Sequence, residues 1–156
     1  GMIFTMPNAD AGGRKIAKMI EEFVKSNENT RYFQSLGHEV YLSCIAAFDG
    51  VVGNSSSGIL EVPSFKKGTL NIGNRQDGRL FASSVLSCEL CSDDIKEGFL
   101  KLLSDEYSIV FEKTSNPYGE EGASGKIVKI IESIDLTKIG PKQFIDYKLI
   151  KEQDVQ

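Results

Sequence analysis

Gly50-Val51-Val52-Gly53-Asn54-Ser55-Ser56-Ser57-Gly58-Ile59-Leu60-Glu61 is the stretch that decides the fold. Gly50-Val51-Val52 reads as the end of a buried strand, and the residues after Ser56 can start a helix. A strand that runs through a small-residue loop into a helix is the unit from which parallel α/β sheets are built. It is also a ready anion site. The first amides of a helix lack intrahelical partners, and the helix dipole adds partial positive charge there. Small residues let a phosphate approach the backbone, and the serine hydroxyls add donors. Glu61 is expected about two turns into the helix, where its carboxylate would accept vicinal sugar hydroxyls. Phosphate loop plus hydroxyl acceptor points to a nucleotide. A serine-rich N-cap on an ordinary helix uses the same residues.

Outward from this stretch, strand-like and helix-like segments alternate. Ile3-Phe4-Thr5-Met6 is a short apolar run stopped by Pro7. Ile16, Met19, Ile20 and Phe23 recur at helical spacing. Tyr32-Phe33 is a weak strand, 39–48 a helix, and 56–65 a short helix interrupted by Pro63. Gly68-Thr69-Leu70-Asn71-Ile72-Gly73 and Val85-Leu86-Ser87 are strands. Ile95, Phe99, Leu102 and Leu103 mark a helix opened by Ser92 and two aspartates. Residues 116–125 form a loop, and Ile127, Ile130, Ile131 and Ile134 stripe a last helix. The pattern predicts an α/β fold, a Rossmann-like open parallel sheet with helices on both faces. One domain, 2–147, precedes a polar tail, 148–156.

The 156 residues suffice for one substantial core. Gly1 before Met2 looks like an expression remnant and is set aside. A net charge of −4 with interspersed signs argues against a nucleic-acid or anionic membrane surface. No apolar run has the length of a bilayer span, and a secretory signal is absent. Three cysteines, Cys44, Cys88 and Cys91, make no disulfide framework and point to a reducing, cytoplasmic location. Cys88-Glu89-Leu90-Cys91 lies between a strand and a helix, where a redox pair would sit. Zinc would need His38 and Cys44 as well, and these lie on poorly matched helix faces. Buried packing is the expected role of the cysteines, with no metal and no cofactor.

Ligands of open parallel sheets bind beyond the carboxyl ends of the strands. Three polar clusters fall at such ends: Pro7-Asn8-Ala9-Asp10-Ala11-Gly12-Gly13, Asn54-Ser55-Ser56, and Asn74-Arg75-Gln76-Asp77-Gly78-Arg79. Together they supply a cation, a carboxylate and donors on one rim, a nucleotide-type site.

The three clusters, extended to Gly53–Gly58 with Ile59 and Glu61 and to Asn71-Ile72-Gly73 before Asn74, resemble motifs of the hydrolysing UDP-N-acetylglucosamine 2-epimerases of sialic and related nonulosonic acid synthesis. Tyr118-Gly119-Glu120-Glu121-Gly122-Ala123-Ser124 is similar to a late motif of that family, with glutamate in place of aspartate. The resemblance runs from residue 3 to about residue 147 and implies one half of a GT-B-like two-domain fold, the UDP-binding C-terminal half. It implies that Ser55, Ser56 and Gly58 line the diphosphate loop and that Glu61 accepts the ribose hydroxyls. Asn8 and Arg75 would contact the nucleotide further, and the backbone near Leu36 would flank the uracil. The implied ligand is UDP or UDP-N-acetylglucosamine.

One departure limits what the chain would do alone. The family's proton-transferring acids lie in its N-terminal domain, and a His-Pro motif precedes the Asn-x-Asp-Ala-Gly segment; neither is present here. His38, the only histidine, reads as a surface residue of the second helix. No catalytic residue is therefore assigned. Asp10 reads as a helix cap. The implied partners are the N-terminal domain of the same protein and, for the complete protein, a homo-oligomer. Two other readings stay open: the donor-nucleotide domain of a GT-B glycosyltransferase and a non-catalytic Rossmann-like regulatory module.

Overall fold

The computed structural model describes residues 1–7, 12–119, 121–135 and 140. Asn8, Asp10 and Glu120, like most of the chain beyond 135, lie outside the described residues. The chain divides into two compact units, Gly1–Gly119 and Glu120–Gln156.

The first unit alternates strand and helix as the periodicity predicts: β1 (Met2–Thr5), α1 (Gly13–Ser26), β2 (Thr30–Phe33), α2 (Gly37–Ala47) and β3 (Gly50–Gly53). Then follow α3 (Ser57–Leu60), a 3₁₀ turn (Val62–Phe65), β4 (Gly68–Ile72), β5 (Val85–Cys88), α4 (Ser92–Leu102) and α5 (Asp105–Glu112). All pairings are parallel. The strands form two sheets, β1-β2 and β3-β4-β5. α1 rests on β1 through an edge-to-face contact of Phe23 on Phe4, with ring centroids 5.7 Å apart.

The core lies along β4, whose Leu70, with Leu102 of α4 and Tyr107 of α5, forms the buried cluster. Successive residues of a strand face opposite ways, and two glycines exploit this. A Cβ on Gly98 of α4 would fall 2.6 Å from Leu70 Cδ1; one on Gly58 of α3 would fall 2.7 Å from Thr69 Cγ2. Helices therefore cover both faces of β4 at close approach, α4 over Leu70 and α3 over Thr69. The Thr69 hydroxyl donates to the Gly58 carbonyl at 2.7 Å, which satisfies a buried hydroxyl on the α3 side.

The sequence reading needs four local corrections. Residues 56–65 form a single α turn and a 3₁₀ turn, because Pro63 supplies no amide and biases Val62 away from the α region. Glu61 consequently sits at their junction rather than two turns into a helix. α4 is capped by Cys91, whose Sγ accepts the Asp94 amide, so Ser92 is its first helical residue. Cys91 is exposed, and Cys44 and Cys88 are half-buried, so the thiols are not sealed in a core. Helix α5, which apolar periodicity did not reveal, opens with the Ser104 hydroxyl accepting the Tyr107 amide. Among the described residues, no cluster of three or more His, Cys, Asp or Glu is arranged to hold a metal. No described helix is long and apolar enough to cross a membrane.

The second unit contributes α6 (Ala123–Ser133). Its Ile127, Ile130 and Ile131 are exposed.

Candidate functional site

Parallel pairing of Gly53 with Asn71 places the loop after β3 and the loop after β4 at the same end of the sheet. In the first of these loops most donors of the α3 turn are already committed. Ser57 N–H donates to Ser55 Oγ at 3.3 Å, Gly58 N–H to the Ser55 carbonyl, and Ile59 and Leu60 N–H to the Ser56 carbonyl. The amides of Asn54, Ser55 and Ser56 make no hydrogen bond among the described residues. The Ser56 side chain caps nothing. Ser56 therefore does not behave as an ordinary N-cap, and among the described residues neither its hydroxyl nor the three adjacent amides have a partner. One helical turn carries little of a full macrodipole, so anion affinity here would rest on these donors. Gly58 serves the loop by letting α3 close on Thr69, not by offering its amide.

α2 forms the wall facing this loop. The Tyr41 hydroxyl and Ser57 Oγ share a hydrogen bond of 2.6 Å. Burial pushes the Tyr41 phenol up, the Ser57 hydrogen bond opposes that shift, and the Glu61 charge adds to it. Tyr41 is thus a neutral phenol in the physiological range. One turn earlier on the same face, His38 Nε2 lies 3.8 Å from Glu61 Oε1. Leu36 occupies the cap position of α2, half-buried, just before this face. The structure thus brings Leu36, Ser55, Ser56 and Glu61 to one region.

The loop after β4 is tied to the serine loop by Gln76, whose Nε2 donates to the Asn54 carbonyl at 2.7 Å. Gln76 is 3% exposed, and its Oε1 is buried with no partner among the described residues. Asn71, buried at the strand end, donates to the Gly73 carbonyl and shapes the turn. Arg75 beside Gln76 is exposed and makes no ion pair among the described residues. From the far side, Asn116 Nδ2 donates to the Leu60 carbonyl at 2.8 Å and to Ser64 Oγ at 2.7 Å, holding the end of α3. Tyr41, Gln76 and Asn116 were not singled out by sequence, because nothing in hydrophobic periodicity marks a polar side chain that will be a tether. A separate cavity of about 250 Å³ opens beside the β4 loop toward β5, lined by Asp77, Cys88, Glu89 and Asp94 among others. Three carboxylates make it a poor host for a diphosphate. Burial, then the charges of Asp94, Cys91 and Glu89, push the Cys88 thiol up and favour its protonated form.

Residues 1–132 match the family model for UDP-N-acetylglucosamine 2-epimerase. The chain belongs to that family. Among curated relatives, it is 37% identical over 150 residues to a polysialic acid biosynthesis protein of Escherichia coli, a match covering 96% of this chain and 38% of that one. It is 36% identical over 147 residues to a GDP/UDP-N,N'-diacetylbacillosamine 2-epimerase (hydrolyzing) of Campylobacter jejuni, covering 93% and 38%. It is 32% identical over 130 residues to a UDP-N,N'-diacetylbacillosamine 2-epimerase (hydrolyzing) of Legionella pneumophila, covering 83% and 33%. The chain thus spans under two fifths of the length of these relatives.

Proposed function

We propose that this chain is the UDP-binding part of a hydrolysing UDP-sugar 2-epimerase. The observation that carries the reading is the serine loop of a family member: three amides without a partner among the described residues and the Ser56 hydroxyl, with Glu61 one turn along the chain. Donors at the loop take the diphosphate, Arg75 adds positive charge, and Glu61 accepts the ribose hydroxyls. Gly58 acts by keeping the loop against the sheet. The backbone near Leu36 flanks the base, and Asn8 completes the nucleotide contacts. In an elimination that expels UDP, the same donors would stabilise charge on the departing diphosphate. The base and acid at C2 of the sugar belong, in this proposal, to an N-terminal domain of the complete protein, which works as a homo-oligomer in the cytoplasm. Family membership favours this reading over a glycosyltransferase donor domain or a regulatory module. The sugar is N-acetylglucosamine or, as the names of two relatives state for those proteins, N,N'-diacetylbacillosamine.

Calorimetric titration of the chain with UDP, GDP and ADP tests the proposal. UDP is expected to bind with a high micromolar to millimolar dissociation constant, about −4 to −6 kcal/mol, and ADP more weakly. Equal binding of UDP and ADP, or no binding, would overturn it. GDP binding as tight as UDP would keep the diphosphate and ribose assignments and remove the uracil contact.

A further inference from the structure

We infer that His38 is a positioning residue for Glu61, holding the carboxylate that receives the ribose; the inference rests on the UDP reading above. α2 and the α3 turn are joined by two polar rungs at matched helical spacing. On α2 the rungs stand three residues apart, His38 and Tyr41; opposite, they stand four apart, Ser57 at the start of α3 and Glu61 at its C-cap. Residues at these spacings share one helix face. The Tyr41–Ser57 rung, at 2.6 Å and half-buried, sets how the two elements meet. With that rung in place, His38 Nε2 arrives 3.8 Å from Glu61 Oε1.

The Glu61 backbone is also fixed. Its amide donates to the Ser57 carbonyl, and its own carbonyl accepts the Ser64 amide. Only the side-chain torsions of Glu61 are left free, and an imidazole at one carboxylate oxygen restricts them. The other oxygen then faces a ligand with less rotamer freedom to lose on binding. As imidazolium, His38 attracts the carboxylate directly; as neutral imidazole, its N–H reaches the same oxygen after a small movement. The His38 side chain is 73% exposed and that of Glu61 36%, so solvent screens the pair. An exposed pair of this kind is worth about 1.4- to 5-fold in an equilibrium constant. Sequence alone offered no sign of this, because residues 38 and 61 are joined only by the packing of α2 on α3.

The test uses the 156-residue chain, titrated with UDP and with pyrophosphate, as wild type, His38→Ala, His38→Gln, Glu61→Gln and the double variant His38→Ala/Glu61→Gln. His38→Ala is expected to weaken UDP about 1.4- to 5-fold and leave pyrophosphate unchanged. His38→Gln, which keeps a donor, should restore most of the loss. His38→Ala should add nothing in the Glu61→Gln background. Because His38 is the only histidine, its imidazole gives the one histidine Hε1 NMR signal, which should move on Glu61→Gln and on addition of UDP. Wild type that binds UDP while His38→Ala binds it equally well overturns the inference and spares the UDP reading. So do equal losses for UDP and pyrophosphate, additive losses in the double variant, or an imidazole signal indifferent to Glu61→Gln. Wild type that takes no UDP overturns the UDP reading and this inference with it.

Discussion

In the proposed site Ser56 serves the diphosphate and Glu61 the ribose, and the division is measurable. Ser56→Ala removes one hydroxyl donor while neighbouring amides remain, so UDP binding should weaken by about 0.5–1.5 kcal/mol. Glu61→Ala removes a charged acceptor, and about 1.5–3 kcal/mol is expected. Titration with free pyrophosphate should keep the Ser56 effect and abolish that of Glu61. A Glu61→Ala variant that loses pyrophosphate as badly as UDP would show that the carboxylate does not serve the ribose. These two residues could be proposed from sequence because the chemistry of their types is local. Gln76, in contrast, sits in a charged turn that reads as solvent-exposed, yet it is 3% exposed and holds Asn54 across the rim. Only the adjacency of β3 and β4 puts the Asn54 carbonyl within its reach.

At the level of elements, alternation of strand and helix was readable from apolar spacing, and all five strands lie where that spacing puts them. Helix α5 was missed because Ile109-Val110-Phe111 is a contiguous apolar run without helical spacing. The signal that would have found it is Ser104 followed by Asp105 and Glu106, an N-cap with acids in the first turn. The contacts of α3 and α4 with β4 give a comparison of two glycines. Alanine at either position gains about 1 kcal/mol of helix propensity, so any difference between them reports the contact. The Cβ at 58 meets the methyl of Thr69, a β-branched side chain with little freedom in a strand. The Cβ at 98 meets the end of Leu70, which can rotate. Gly58→Ala should therefore lower stability by about 1–3 kcal/mol, and Gly98→Ala by less. Urea unfolding of the two variants decides it; the reverse order would mean that Thr69 yields more readily than Leu70.

Over the whole molecule, the chain alone is expected to show no turnover of UDP-N-acetylglucosamine. Proton abstraction at C2 needs a positioned base, and the described site offers one carboxylate, Glu61, already facing His38. Donors at a diphosphate do not by themselves start an elimination. A product assay on the purified chain checks this; UDP release above buffer that disappears in Asp10→Asn would place a base in the segment after β1 and refute it. What the sequence by itself determined was the class of fold and the family, because strand–loop–helix alternation and the spaced motifs are properties of residue order. It also singled out the serine loop and Glu61 as candidates, because small residues, donors and a carboxylate stand a few positions apart. Tertiary structure alone decided what those groups are free to do. Pro63 cut the following helix to one turn, Thr69 drew Gly58 against the sheet, and Gln76 and Asn116 tied the loop from two sides. His38 and Tyr41 met Glu61 and Ser57 across two helices. Each of these contacts joins residues well separated along the chain or depends on which face a helix turns inward, and hydrophobic spacing carries no information about polar partners brought together by packing.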